Sequence, residues 1–163
     1  MKLIDKIKEN KEKIFTSSGE NVKIDSIMID DNNDIQSYFY KPDSLHEMRS
    51  VSKVLIALAY GIAIDRKMLV NGKTLTVNTL VYPVIKNLTT IKKENVDKIK
   101  NWKIKTLLTY SAGYDTQMFS ERFIKDINEK DYVNYVLNYD LTYQPGEKYV
   151  YNNAELFILS IFF

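Results

Sequence analysis

The sequence predicts a single α+β domain over residues 1–163, on three observations. Two β-prone runs flank an Asp/Asn-rich turn near the N-terminus. A helix pattern that is apolar nearly all round follows them. The remainder reads as short helices and loops punctuated by Pro and Gly. At 163 residues, 45% of them hydrophobic, the chain can bury one sizeable core.

Leu3, Ile4, Ile7, Ile14 and Phe15 recur among lysines and acids, which places an amphipathic surface helix over residues 2–15. Ser17, Ser18 and Gly19 end it. Val22, Ile24, Ile27 and Ile29 alternate loosely, Asp30 to Asp34 form a polar turn, and Ile35 to Tyr40 supply a second run. Together they are a hairpin signal, which Pro42 breaks. Ser50 to Leu69 lacks a polar stripe after its first turn, so it predicts a central helix buried on most sides. From Val77 to Tyr139 short helices are expected, with Pro83 and the Ser111–Gly113 stretch as turns. Pro145-Gly146 is a strong turn, and Ala154 to Phe163 begins an apolar helix or strand.

Composition excludes several functions. The formal net charge is +2, with lysines spread among acids, so there is no electrostatic footprint for nucleic acid. There is no cysteine, which excludes disulfides, thiol catalysis and zinc-thiolate sites. His46 is the only histidine, so a multi-histidine metal site is not expected, nor any cofactor. The N-terminus is a charged helix pattern without the apolar core of a secretory signal, and Val54 to Ile64 is too short to span a bilayer. The expected location is cytoplasmic.

Ser50-Val51-Ser52-Lys53 is the one Ser-x-x-Lys motif in the sequence. Residues three apart share a helix face, so the Ser50 hydroxyl and the Lys53 amine can meet. A serine needs a base to become a nucleophile, and a lysine kept neutral by burial can serve. A helix start also offers N–H groups and the positive dipole end to a developing oxyanion. Ten serines and twenty lysines produce roughly one such motif by chance, so the motif alone decides nothing.

Two further segments stand in register with it. Ile104-Lys-Thr-Leu-Leu-Thr-Tyr-Ser-Ala-Gly113 follows the helix, and Pro145-Gly-Glu-Lys-Tyr-Val-Tyr-Asn-Asn153 comes later. With the stretch Leu45 to Asp65 they resemble the serine β-lactamase and penicillin-binding-protein superfamily, closest to its class C-like branch of esterases, carboxypeptidases and amide hydrolases. The likeness runs from about residue 20 to the end. It implies a β-lactamase/transpeptidase-like fold, an antiparallel sheet flanked by a helical subdomain. It also implies an acyl-enzyme on Ser50 that hydrolyses an ester or amide: a β-lactam, a D-amino peptide or a simple ester. Lys53 and Tyr151 would carry protons, and Asn153 would bind the small-molecule or short-peptide substrate. Tyr151 and Asn153, two apart in an extended loop, point to one side. A phenol can relay a proton there, and a carboxamide can bind a carbonyl.

Other candidates carry blander readings. Ser52 faces away from the nucleophile's side, Ser111 and Gly113 look like capping and turn residues, and Trp102 reads as core. His46, four before Ser50, invites a Ser-His dyad, but such a dyad needs a third group to orient it, and a surface or packing role is expected.

The family's third motif, a Lys/His-x-Gly triplet after Tyr-x-Asn, has no counterpart in the ten residues after Asn153. Leu156 to Phe163 has no cap or polar tail. The chain is therefore expected to be the N-terminal half of a family domain, incomplete at its C-terminus, forming a homo-oligomer or pairing with a complementing chain. The alternative function is a truncated, catalytically silent remnant or an interaction module that pairs with another chain.

Overall fold

The computed structural model describes residues 2–14, 16–42, 44–119 and 131–162. The chain divides into two compact units, Met1–Glu47 and Met48–Phe163.

In the first unit, helix α1 (Leu3–Asn10) runs into a single tight turn, Lys11–Lys13, and buries Ile4. Strands β1 (Ser26–Asp30) and β2 (Ile35–Phe39) pair antiparallel, from Ser26 opposite Phe39 to Asp30 opposite Ile35. Asp31 builds the turn, its carboxylate accepting the backbone N–H groups of Asn33 at 3.1 Å and Asp34 at 2.8 Å. The hairpin is the expected one, with the first strand starting later than Val22. Lys8 and Lys11 lie over the rings of Tyr38 and Tyr40, so α1 covers the hairpin with lysine stems and cation–π contacts.

The second unit opens with a short turn, Arg49–Ser52, that leads into α2 (Lys53–Asp65). Strands β3 (Leu69–Val70) and β4 (Lys73–Thr74) follow, joined through Asn71 and Gly72, both at positive φ. Helices α3 (Tyr82–Ile85), α4 (Lys93–Ile99), α5 (Ile104–Leu108), α6 (Tyr132–Asn138) and α7 (Ala154–Phe162) complete the described elements. The two antiparallel pairs together with the helices make the chain α+β. Ala154 onward resolves as helix.

The core gathers Val81, Ile85, Ile99, Trp102, Ile104, Leu107, Leu137, Ile158 and Leu159. Trp102 is fully buried, and its indole N–H donates to the Ala112 carbonyl at 2.8 Å. Tyr60 ties α2 to α7 by donating to the Leu159 carbonyl at 2.8 Å.

The expectation that Ser50 to Leu69 forms a helix buried on most sides is corrected. The helix stops at Asp65, and Leu69 belongs to β3. Only Tyr60 and Ala63 on α2 are buried, whereas Val54, Leu55, Leu58 and Ile62 are each more than half exposed. An all-round apolar pattern records which faces tolerate burial; packing decides which are covered.

Gly113 is the glycine the fold needs. Its φ is +113°, and a Cβ there would lie 2.4 Å from the Tyr143 carbonyl oxygen. That oxygen cannot retreat easily, because the Tyr143 N–H is bonded to the Gly113 carbonyl at 2.9 Å. Gly113→Ala is therefore expected to destabilise the protein by about 3 kcal/mol or more. Gly61→Ala, on α2 with open space around it, should instead gain up to about 1 kcal/mol. Urea denaturation midpoints of the two variants check the contrast.

Candidate active site

Ser50 sits in the Arg49–Ser52 turn, one residue type removed from helix, with Lys53 opening α2 three residues on. The spacing brings the side chains together, and Lys53 Nζ donates to Ser50 Oγ at 3.1 Å. Ser52 turns the other way, and its hydroxyl donates to the Arg49 carbonyl at 2.5 Å. Arg49 itself has φ +44°, a left-handed conformation that an arginine adopts only where surrounding contacts hold it.

Tyr151 arrives from a segment stitched to the loop after α5. Tyr143, Gly146 and Val150 donate their backbone N–H groups to the carbonyls of Gly113, Ser111 and Tyr110, at 2.7–2.9 Å. The Pro145-Gly146 turn, with Gly146 at φ +88°, lets the segment reverse between these bonds. The Tyr151 phenol then reaches Ser50 Oγ at 2.6 Å, across 101 residues of sequence. Its ring packs on Tyr110 at 5.3 Å, and Lys53 Nζ lies 5.4 Å from its centroid. Tyr110 is also held left-handed, at φ +52°. The hydrogen bond with Ser50 pulls the Tyr151 phenol below its ordinary pKa of 10, and the Lys53 ammonium adds to the effect. The three groups border a cleft of about 300 Å³, whose other walls are Val54, Ala57, Leu108, Tyr110 and Leu156.

Asn153 is not brought to this cluster by any hydrogen bond among the described residues. Its amide N–H donates to the Phe119 carbonyl at 3.0 Å, and its Oδ1 is buried without a hydrogen-bond partner. The neighbouring Asn152 is fully buried and shapes the start of α7, accepting from the N–H groups of Ala154 and Met118. Ser111 donates to the Thr106 carbonyl and closes the turn after α5. His46, in the first unit, engages Asp25 at 3.3 Å and Ser44 at 3.0 Å.

Sequence reasoning missed Glu155. It lies in the first turn of α7, 1% exposed, with Oε1 accepting the Ala112 N–H at 2.9 Å and Oε2 buried without a partner. The signal was available: it is the lone carboxylate in the apolar run Ala154 to Phe162. Burial pushes its pKa up to about 8, against the Ala112 N–H, which lowers it. Folding thus favours the neutral acid, and its stabilisation is lost as pH rises from about 4.5 to about 8. The loss runs at up to roughly 1.4 kcal/mol per pH unit. Asp25, Asp31 and Asp34 are held below the usual carboxylate range by hydrogen bonds, so their contribution changes only in acid. Between pH 5 and 8 the melting temperature should therefore fall, and Glu155→Gln should flatten that slope. Calorimetric scans of both proteins across the window check it.

No helix among the described residues is long and apolar enough to cross a membrane. A model of the Beta-lactamase family matches residues 29–160, a span that includes Ser50, Lys53, Tyr151 and Asn153. No curated protein and no solved structure matches the chain.

Proposed function

The chain belongs to the β-lactamase family, and from that premise we propose that it is a serine hydrolase of β-lactamase/transpeptidase-like fold that forms an acyl-enzyme on Ser50. One observation carries the reading: Ser50 Oγ receives both the Lys53 ammonium, at 3.1 Å, and the Tyr151 phenol, at 2.6 Å. A serine oxygen that carries two proton-handling groups is equipped for acyl transfer, in which its proton must leave and the leaving group must be protonated.

Ser50 Oγ attacks the carbonyl carbon of an ester or amide, and its proton passes to whichever of Lys53 and Tyr151 stands deprotonated in the reacting complex. The carbonyl oxygen becomes an oxyanion, for which the Ser50 N–H, in the turn that leads into α2, would be a donor. As the tetrahedral intermediate collapses, the bond to the leaving alkoxide or amine breaks and that group takes the proton from the relay. Water then attacks the Ser50 ester and gives its proton to the same relay; as the bond to Oγ breaks, the relay returns that proton to Ser50, and the acid is released. Asn153, which the family likeness makes a substrate contact, would have to turn from Phe119 to reach substrate. Asn153→Ala is accordingly expected to slow acylation less than Tyr151→Phe.

Rapid mixing with a chromogenic acyl ester and with a chromogenic β-lactam tests the reading. A burst of leaving group stoichiometric with protein, and an acyl mass adduct after acid quench, are expected from at least one of them. Release at the buffer rate with no adduct from either would overturn it.

The exposed apolar residues Val54, Leu55, Leu58 and Ile62 on α2 favour a second reading, that the chain is an interaction module whose α2 face is covered by another chain. Light scattering decides whether the isolated chain self-associates.

A further inference from the structure

We propose that Glu155 is a positioning residue for Tyr151: in its neutral form it clamps α7 to the Tyr110–Gly113 loop and so keeps the phenol on Ser50. The inference rests on the acyl-enzyme reading and identifies what limits that site at alkaline pH.

The connection is continuous. Glu155 Oε1 holds the Ala112 N–H at 2.9 Å, in a loop whose carbonyls at Tyr110, Ser111 and Gly113 carry the segment leading to Tyr151. The Tyr110 ring, on the same loop, is the surface against which Tyr151 packs. Glu155 also lies four residues after Tyr151, in the first turn of the helix that follows the phenol's segment. A shift of the loop moves the carbonyls, the ring and the Tyr151 backbone together.

The clamp is sensitive to charge. Oε2 is buried with no hydrogen-bond partner, so an ionised Glu155 would leave a carboxylate oxygen unsolvated in the core. The titratable groups acting with it are phenols: Tyr110 from the loop, pushed up to about 12 by burial, and Tyr114 beyond Gly113, raised well above its ordinary value by burial. Both are repelled by a charged Glu155, and neither can neutralise it. Across the facing elements, Lys105 of α5 is exposed, Tyr60 of α2 is bonded to Leu159, and Lys53 of α2 is engaged by Ser50. With the acid's pKa raised to about 8, the clamp begins to fail as the pH passes that value.

The test compares kcat/KM for a chromogenic ester in wild type and Glu155→Gln between pH 7 and 9, well below the melting temperature. The Gln amide can accept from Ala112 and cannot ionise. The wild-type rate relative to that of Glu155→Gln should fall about tenfold by pH 9, because one pH unit past the midpoint leaves about a tenth of the acid protonated. A flat quotient overturns the proposal. A chain that never acylates defeats the acyl-enzyme reading, and the clamp is then read from Tyr151 ionisation, by ultraviolet difference titration against Tyr151→Phe. Tyr151 should ionise at lower pH in Glu155→Gln than in wild type, and coincident titrations overturn the clamp. If Glu155→Gln does not fold, wild type alone decides. Near-ultraviolet circular dichroism that changes from pH 7 to 9 with constant far-ultraviolet signal supports the clamp, and an unchanged spectrum overturns it.

Discussion

Replacing Ser50 by alanine is expected to eliminate covalent labelling by a fluorophosphonate and to cost on the order of 10⁶ in kcat for any ester the protein turns over. Ser52 and Ser111 are not equipped to substitute. Ser52 commits its hydroxyl to the Arg49 carbonyl at 2.5 Å, and Ser111 is buried and bonded to Thr106. Neither hydroxyl is bonded to Lys53 or Tyr151, which both converge on Ser50. Digestion and mass spectrometry of the labelled protein should place the adduct on the Ser50 peptide. Labelling that persists in Ser50→Ala, or that maps to Ser52 or Ser111, would remove the nucleophile from the mechanism.

Lys53→Met and Tyr151→Phe should each slow acylation about 10²–10⁴-fold, the usual cost of a lost proton acceptor. Because both act on one oxygen, the double variant should cost little more than the worse single one. The pH dependence separates their roles. An anionic phenol is favoured by Ser50 and Lys53, so the Tyr151 ionisation lies below the ordinary tyrosine value and should move up in Lys53→Met. His46→Gln should cost far less, since His46 is engaged by Asp25 and Ser44 in the first unit. A His46→Gln protein that is dead beside an active Lys53→Met would make the dyad Ser-His and this mechanism wrong.

The local parts of the fold were legible. Asp30 to Asp34 between two β-prone runs specified a hairpin, and Asp31 closes it through hydrogen bonds that span two and three residues. The Ser-x-x-Lys spacing specified that Ser50 and Lys53 would share a side of a helical turn. Tyr151 was a different matter. No window of sequence connects it with Ser50, and it was reached through a three-segment family likeness that the family match over residues 29–160 supports. Asn153 was reached by the same likeness; its amide bonds to Phe119 while the phenol of Tyr151 bonds to Ser50.

By itself the sequence determined what depends on neighbours along the chain: the hairpin turn, the helical pairing of Ser50 with Lys53, and the absence of thiol chemistry. Tertiary structure decided the rest. It set the phenol of Tyr151 on the Ser50 hydroxyl, left one face of α2 open where an all-round apolar pattern suggested burial, and enclosed Glu155 so that its acid form is favoured. The physical reason is range. Turn chemistry and helical periodicity act over two to four residues, whereas desolvation and side-chain convergence depend on which distant segments pack together.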